Sequence, residues 1–318
     1  VLLIDNLTNP ALLFFALGIT AAVVKSDLEI PKNSSRFISI YLLFSIGFNG
    51  GQELAHSHLN SSVVSAFVFG LGSAALVPIY VFYLLKRKWS VQNSGAVAAS
   101  YGSVSAVTFV TAISYLELNK IEFGGHMVAV MAGMEAPAII VGVWLMQLYD
   151  TDTAKSKTSL KHVAFHSLTN GSVLLILGSL VIGFIASEKQ AAGIAPFTTD
   201  IFKGFLAVFL LDMGIRCGHG LKNLFKKGLE PFIYGIAFPL VNGSITAYSS
   251  GWWIESDGDR FLLSILCASA SYIAVPAAMR LVAPKAQEGL YIPMALAITF
   301  PFNISLGMPI YLSIIQAC

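Results

Sequence analysis

Two stretches concentrate hydroxyls and small side chains in the middle of long apolar runs: Tyr101-Gly-Ser-Val-Ser-Ala-Val-Thr108 and Ser269-Ala-Ser-Tyr-Ile-Ala-Val-Pro276. Pro276 cannot donate the backbone hydrogen bond that a continuous helix needs, yet it suits the first turn of a new one. Gly102 offers the matching interruption in the first stretch. An interrupted helix leaves free N–H groups at its new N-terminus, which favour an anion. It also leaves free carbonyls at the preceding C-terminus, which favour a small cation. Serine hydroxyls serve either, as donors or acceptors. The two stretches together predict a site for a small anion with Na+ close by. The competing explanation is that these serines only permit close helix packing.

Charges inside apolar runs are costly and functional by default. Glu135, in Gly133-Met-Glu-Ala-Pro137, lies in mid-run just before a proline. It is expected to contribute to cation or proton binding, or to hold the core helices together as a buried acid. Asp212 and Arg216 are one helical turn apart and read as an ion pair at a membrane edge. Glu53 reads as interfacial, and Asn49 and Asn303 could line the site. Cys217, Cys267 and Cys318 lack metal or redox spacing, and His56 and His58 read as loop residues. With no Walker, nucleophile-elbow or dinucleotide motif, nucleotide hydrolysis and hydrolase chemistry have no support, and an enzyme is not expected.

The elements that must position these residues are apolar and numerous. The 318 residues are 56% hydrophobic and 11% charged, with a mean hydropathy of +0.74, far from a soluble composition. The net charge of +2 gives no reason to expect nucleic acid. Polar punctuation yields ten candidate membrane spans: 10–24, 37–51, 63–85, 95–116, 126–148, 172–186, 201–215, 231–249, 261–282 and 290–315. Of the 19 basic residues, all but Lys120, Lys189, Lys203 and Arg260 fall on one side of this arrangement. That side is cytoplasmic by the positive-inside rule, which leaves both termini outside the cytoplasm. Residues 1–149 and 170–318 form two five-span halves, joined by a cytoplasmic connector at 150–169. Ile46-Gly-Phe-Asn-Gly-Gly51 and Met213-Gly-Ile-Arg-Cys-Gly218 share glycine spacing. An odd number of spans per half makes the repeat inverted, which places a site at the interface of the halves. The expected fold is an all-α integral membrane protein with helices four and nine broken.

These same residues resemble the sodium-dependent bicarbonate permease (SbtA) family along almost the whole chain. Ile46–Gly51 resembles its I-G-L-T-G-G stretch, Tyr101–Thr108 its F-G-A-V-S-G-S-T, and Met134-Glu-Ala-Pro137 its M-D-I-P. Ser269–Pro276 resembles S-S-S-D-I-S-G-P, followed by Arg280, Pro284, Tyr291, Pro301 and Pro309 at the same spacing. The resemblance implies a symporter with a core domain moving against a gate domain, in a homotrimer in the bacterial inner (plasma) membrane. Bicarbonate would bind around Gly102, Ser103, Val104 and Ser105 in the first half and Ser269, Ser271, Ile273, Ala274 and Val275 in the second. Na+, the coupling ion and the sole expected cofactor-like species, would bind near Ser105, Thr108 and Tyr272, with Glu135 and Asn49 as further candidates. Some family members have a PII-like cytoplasmic regulator. The chain departs from the pattern where Tyr272 replaces the family's aspartate and Ala274 a serine, removing two oxygen ligands that Na+ prefers.

Two other readings keep the scaffold. In the first, the Tyr272 replacement shifts the site toward another small anion, such as a short carboxylate, or toward proton coupling through Glu135. A transport-inactive sensor would bind ligand without flux.

Overall fold

The described residues of the computed structural model are 10–56, 61–149, 159–225 and 227–318. The expected 150–158 part of the connector, His58, Lys155, Lys157 and Lys226 fall outside them. Every element among the described residues is helical. Helices α1 (Pro10–Val23), α2 (Lys32–His56) and α3 (Ser61–Leu85) come first. They are followed by α4 (Val91–Gly102), α5 (Ala106–Leu118) and α6 (His126–Tyr149). His56 therefore ends a helix, where a loop was expected. A short α7 (Leu160–Leu168) occupies the rest of the expected connector and meets α8 (Gly171–Ile185) at a 50° bend. Then come α9 (Glu188–Ala195), α10 (Phe202–Phe225), α11 (Glu230–Ser249), α12 (Asp257–Ala268), α13 (Ala274–Val282) and α14 (Glu288–Ala317).

Five helical runs are long and apolar enough to cross a membrane: Ser61–Leu85, Val91–Leu118 across its break, His126–Tyr149, Glu188–Leu221 and Glu288–Ala317. The bent pair α7 and α8 makes a sixth. α2 and α11 have the length but are diluted by polar residues, among them Asn49, Gln52 and Glu53 in α2 and Asn242 in α11. That dilution leaves out two of the ten expected spans; the other two are α1, which is too short, and α12 with α13, which are short and separated by the break.

Packing divides the helices into two sets. In the first, α1 lies along α10 and α2 along α8. Glycines set the distance in both pairs. A Cβ on Gly214 would overlap the Phe15 carbonyl and sit 3.0 Å from the Gly18 Cα, and one on Gly218 would lie 2.5 Å from the Ala22 Cβ and 3.3 Å from the Ile19 carbonyl oxygen. On the other pair, a Cβ on Gly47 would lie 2.7 Å from both the Ile176 carbonyl oxygen and the Ser179 Cβ, and one on Gly51 would overlap the Leu180 carbonyl and crowd Gly183. In the second set α3, α4 and α6 pack on one another, as do α11, α12 and α14.

Buried Arg260 pins the latter three together. Its guanidinium donates to the Ala247 carbonyl at 3.1 Å (α11) and the Ile315 carbonyl at 3.4 Å (α14), and it pairs with Asp257 at 3.3 Å. Arg260→Met keeps the stem but removes the charged donor from both carbonyls and from Asp257, which costs about 2 kcal/mol. The midpoint of thermal unfolding in detergent is expected to fall measurably, whereas Lys203→Met, at an exposed pair with Glu117, leaves it unchanged.

Helix α14 contains two π-turns, Ala295–Thr299 and Asn303–Gly307. The Phe300 N–H bonds back to Ala295 O, and the Met308 N–H to Asn303 O. Each wide turn comes immediately before a proline, Pro301 or Pro309, and relieves the clash a proline ring makes with the carbonyl four residues back. The extra width lets Asn303 face α12 and its broken end.

Candidate functional site

Both hydroxyl-rich stretches break their helices. α4 ends at Gly102, and Ser103 leaves in an extended conformation (φ −84, ψ 176). α12 ends at Ala268, and Ser269 leaves in nearly the same one (φ −85, ψ 171). Ser90 and Ser256 start these two helices with the same cap, each accepting from the N–H three residues on. α5 restarts with Ser105 as its cap, whose hydroxyl accepts from the Thr108 N–H at 3.2 Å. α13 restarts at Ala274, which puts Pro276 in its first turn.

The two extended segments cross and bond to each other. The Ser271 N–H donates to the Ser100 carbonyl at 2.8 Å, and the Ser100 hydroxyl donates to the Ser271 carbonyl. The Ser105 N–H donates to the Ser269 hydroxyl at 2.9 Å, which itself donates to Leu266 O at 2.9 Å. From α14, Asn303 Nδ2 donates to the Ala268 carbonyl at 2.8 Å, satisfying an orphaned end of α12. The Tyr311 hydroxyl holds Asn303 in turn, its single proton shared between Pro239 O at 2.8 Å and Asn303 Oδ1 at 3.2 Å. Gly102 permits the approach of α3, because a Cβ there would overlap the Pro78 ring.

A cavity of about 40 Å3 lies beside the crossing. One wall comes from the breaks and α5–α6: Val104, Ser105, Ser271, Tyr272, Ile273 and Glu135. The opposite wall comes from α2, α8 and α10 through Ser39, Ser172 and Phe209. Glu135 is the one charged side chain among the described residues lining it. Ser39, Ser172 and Ile273 also line an adjoining groove of about 1330 Å3, which carries Lys32, Arg36, Arg216 and His219. On that groove the expected Asp212–Arg216 pair forms at 3.0 Å. Ser35 joins it, donating to Asp212 at 2.5 Å and accepting from Arg216 at 2.8 Å.

Of the residues expected at the site, Val104, Ser105, Ser271, Tyr272, Ile273 and Glu135 meet around the cavity. Gly102, Ser103, Ser269, Ala274 and Val275 build the breaks behind that wall and are buried. The Ser103 hydroxyl has no partner among the described residues. Thr108 is buried and reaches the site through its N–H bond to Ser105. Asn49 is directed elsewhere, donating to Thr198 O at 3.2 Å. Ser39, Ser172, Phe209 and the cross-bonding Ser100 were not anticipated. Ser35 and Ser39, four residues apart on one helix face, were the available sequence signal.

The cavity offers hydroxyl donors and acceptors, a carboxylate and two helix breaks within a space that holds about three water-sized bodies. Such an arrangement has the chemistry to hold small polar solutes and ions; the described residues lining it include no paired nucleophile and base. No curated protein matches the chain. The family model described as the Na+-dependent bicarbonate transporter superfamily matches residues 10–316. With a match spanning nearly the full length of a multi-pass helical chain, the protein belongs to the Na+-dependent bicarbonate transporter superfamily.

Proposed function

We propose that this protein imports bicarbonate together with Na+, binding both where the two broken helices cross. The carrying observation is the hydroxyl-lined cavity beside that crossing, bounded by Ser105 and Ser271. Its volume of about 40 Å3 suits a small inorganic anion better than a dicarboxylate. Na+ is carried as cargo, and the hydroxyl oxygens on the cavity wall are a donor type that a hard cation takes.

In this reading the chain crosses the membrane ten times as two inverted five-helix repeats. The glycine contacts support it. The α10 glycines Gly214 and Gly218 meet Phe15, Gly18, Ile19 and Ala22; the α2 glycines Gly47 and Gly51 meet Ile176, Ser179, Leu180 and Gly183. Each neighbour in the second group lies 161 positions beyond its counterpart in the first. The matching caps and breaks of α4 and α12 fit the same relation. The α1–α10 and α2–α8 pairs form the gate. The remaining long helices form the core, which carries the cavity along the apolar gate wall of Leu42, Ile176 and Phe209 in an elevator movement. The adjoining groove with its basic side chains supports an opening toward the cytoplasm, both termini outside, in a bacterial inner membrane. A homotrimer and a PII-like regulator complete the reading by family likeness.

The test is uptake of labelled bicarbonate in a carbonic-anhydrase-deficient host, with Na+ or choline outside. Uptake is expected to rise at least tenfold with Na+. Equal uptake in choline removes the coupling, and no uptake in either removes the transport role.

A further inference from the structure

Glu135 is a carboxylate in the middle of α6 with no hydrogen bond or ion pair among the described residues, and it lines the cavity. Its neighbours on that wall include Val107 and Val110 of α5, with Leu42 of α2 and Phe209 of α10 opposite. Tyr272 is the other titratable side chain lining the space, and α8 contributes Ser172 and Ile176. Charges on and around α6 are committed elsewhere. The titratable His126, at its start, lies 3.6 Å from Asp259 of α12. Lys86 lies over the Tyr149 ring, at its far end, 3.5 Å from the centroid. Asp212 and Arg216 line the adjoining groove and bond to each other.

An ionised Glu135 would share so small a space with an anion that the two like charges repel at short range, with apolar walls that screen poorly. A compensating cation is required beyond the Na+ that accompanies the anion. A second Na+ would need a further set of oxygen ligands, whereas a proton needs only the carboxylate, and Glu135 is the one carboxylate lining the space among the described residues. We propose that Glu135 is a proton-carrying site, so that one H+ enters with each anion and Na+. The carboxylate takes a proton from the outer solution before the loaded core moves and releases it to the cytoplasm before the empty core returns. This inference rests on the transport reading above. Each turn of the cycle then moves one net positive charge inward.

Initial rates of bicarbonate-dependent 22Na+ uptake into proteoliposomes, at fixed external bicarbonate, provide the test. Wild-type uptake is expected to fall by up to tenfold per unit of rising external pH once the carboxyl titrates. It should also depend on Na+ with a Hill coefficient of one and accelerate severalfold under an inside-negative potential. Glu135→Gln is expected to keep Na+-dependent uptake while losing both the pH and the voltage dependence; Glu135→Asp keeps both. Folding of each variant is established by thermal unfolding before reconstitution. The proposal is overturned by a wild-type Hill coefficient of two, which makes the extra cation Na+. It is equally overturned by a Glu135→Gln protein that retains both dependences. A folded Glu135→Gln protein without uptake makes the carboxylate a Na+ ligand and also ends the proposal. Absence of uptake by the wild type removes the transport reading and the proton with it.

Discussion

Ser271→Val is expected to lower Na+-driven bicarbonate uptake by about 10- to 100-fold, with the folded protein retained. The main chain at Ser271 is already committed: its N–H and carbonyl both bond to Ser100. Those bonds survive a change of side chain, so the crossing should persist. What is lost is a hydroxyl on the cavity wall, and a hydrogen bond to a charged group is worth about 1.5–3 kcal/mol. The valine also adds a methyl to a space of about 40 Å3, compounding the loss. Ser114→Ala is the comparator. Ser114 is buried in α5, its hydroxyl has no partner among the described residues, and it does not line the cavity, so uptake should stay within twofold. Labelled bicarbonate influx normalised to folded protein reads both. Wild-type influx through Ser271→Val would mean that the ions pass elsewhere.

The two breaks were legible because backbone chemistry announces them. Gly102 and Pro276 interrupt apolar runs, and the serines beside them have the shape of helix caps. Glu135 was legible for a related reason, since a lone acid within an apolar run has few structural excuses. The far wall of the cavity was not. Ser39 and Ser172 belong to different halves, and they face one site because α2 lies along α8. Glycine spacing at Gly47 and Gly51 pointed to an internal repeat but carried no address for the partner helix. Asn49 and Asn303 show the same limit. Each sits within an apolar stretch and looked equally able to line a site. Only long-range geometry sends Asn49 to the Thr198 carbonyl and Asn303 to the broken end of α12. The latter depends on π-turns, which local spacing does not reveal.

Gly47→Leu and Gly214→Leu should each abolish folding or cost more than about 3 kcal/mol, the upper range for overpacking a well-packed interior. Both glycines are buried where two helix backbones meet. At Gly47 a Cβ would sit 2.7 Å from the Ile176 carbonyl oxygen, and at Gly214 it would overlap the Phe15 carbonyl. The obstacle is main chain in both cases, so no rotamer change relieves it and the helices must separate along their length. The yield of monodisperse protein in detergent and its unfolding midpoint measure the effect. Gly178→Leu and Gly204→Leu are the controls, because among the described residues nothing lies within 4 Å of a Cβ at either position. There leucine's better helix propensity makes the change neutral or slightly stabilising. The comparison also bears on architecture. In the inverted-repeat reading Gly47 and Gly214 hold equivalent places in the two gate pairs, so their substitutions should fail together. A large loss at one with near-normal folding at the other would separate the two pairs energetically, and the internal symmetry would then lose its support.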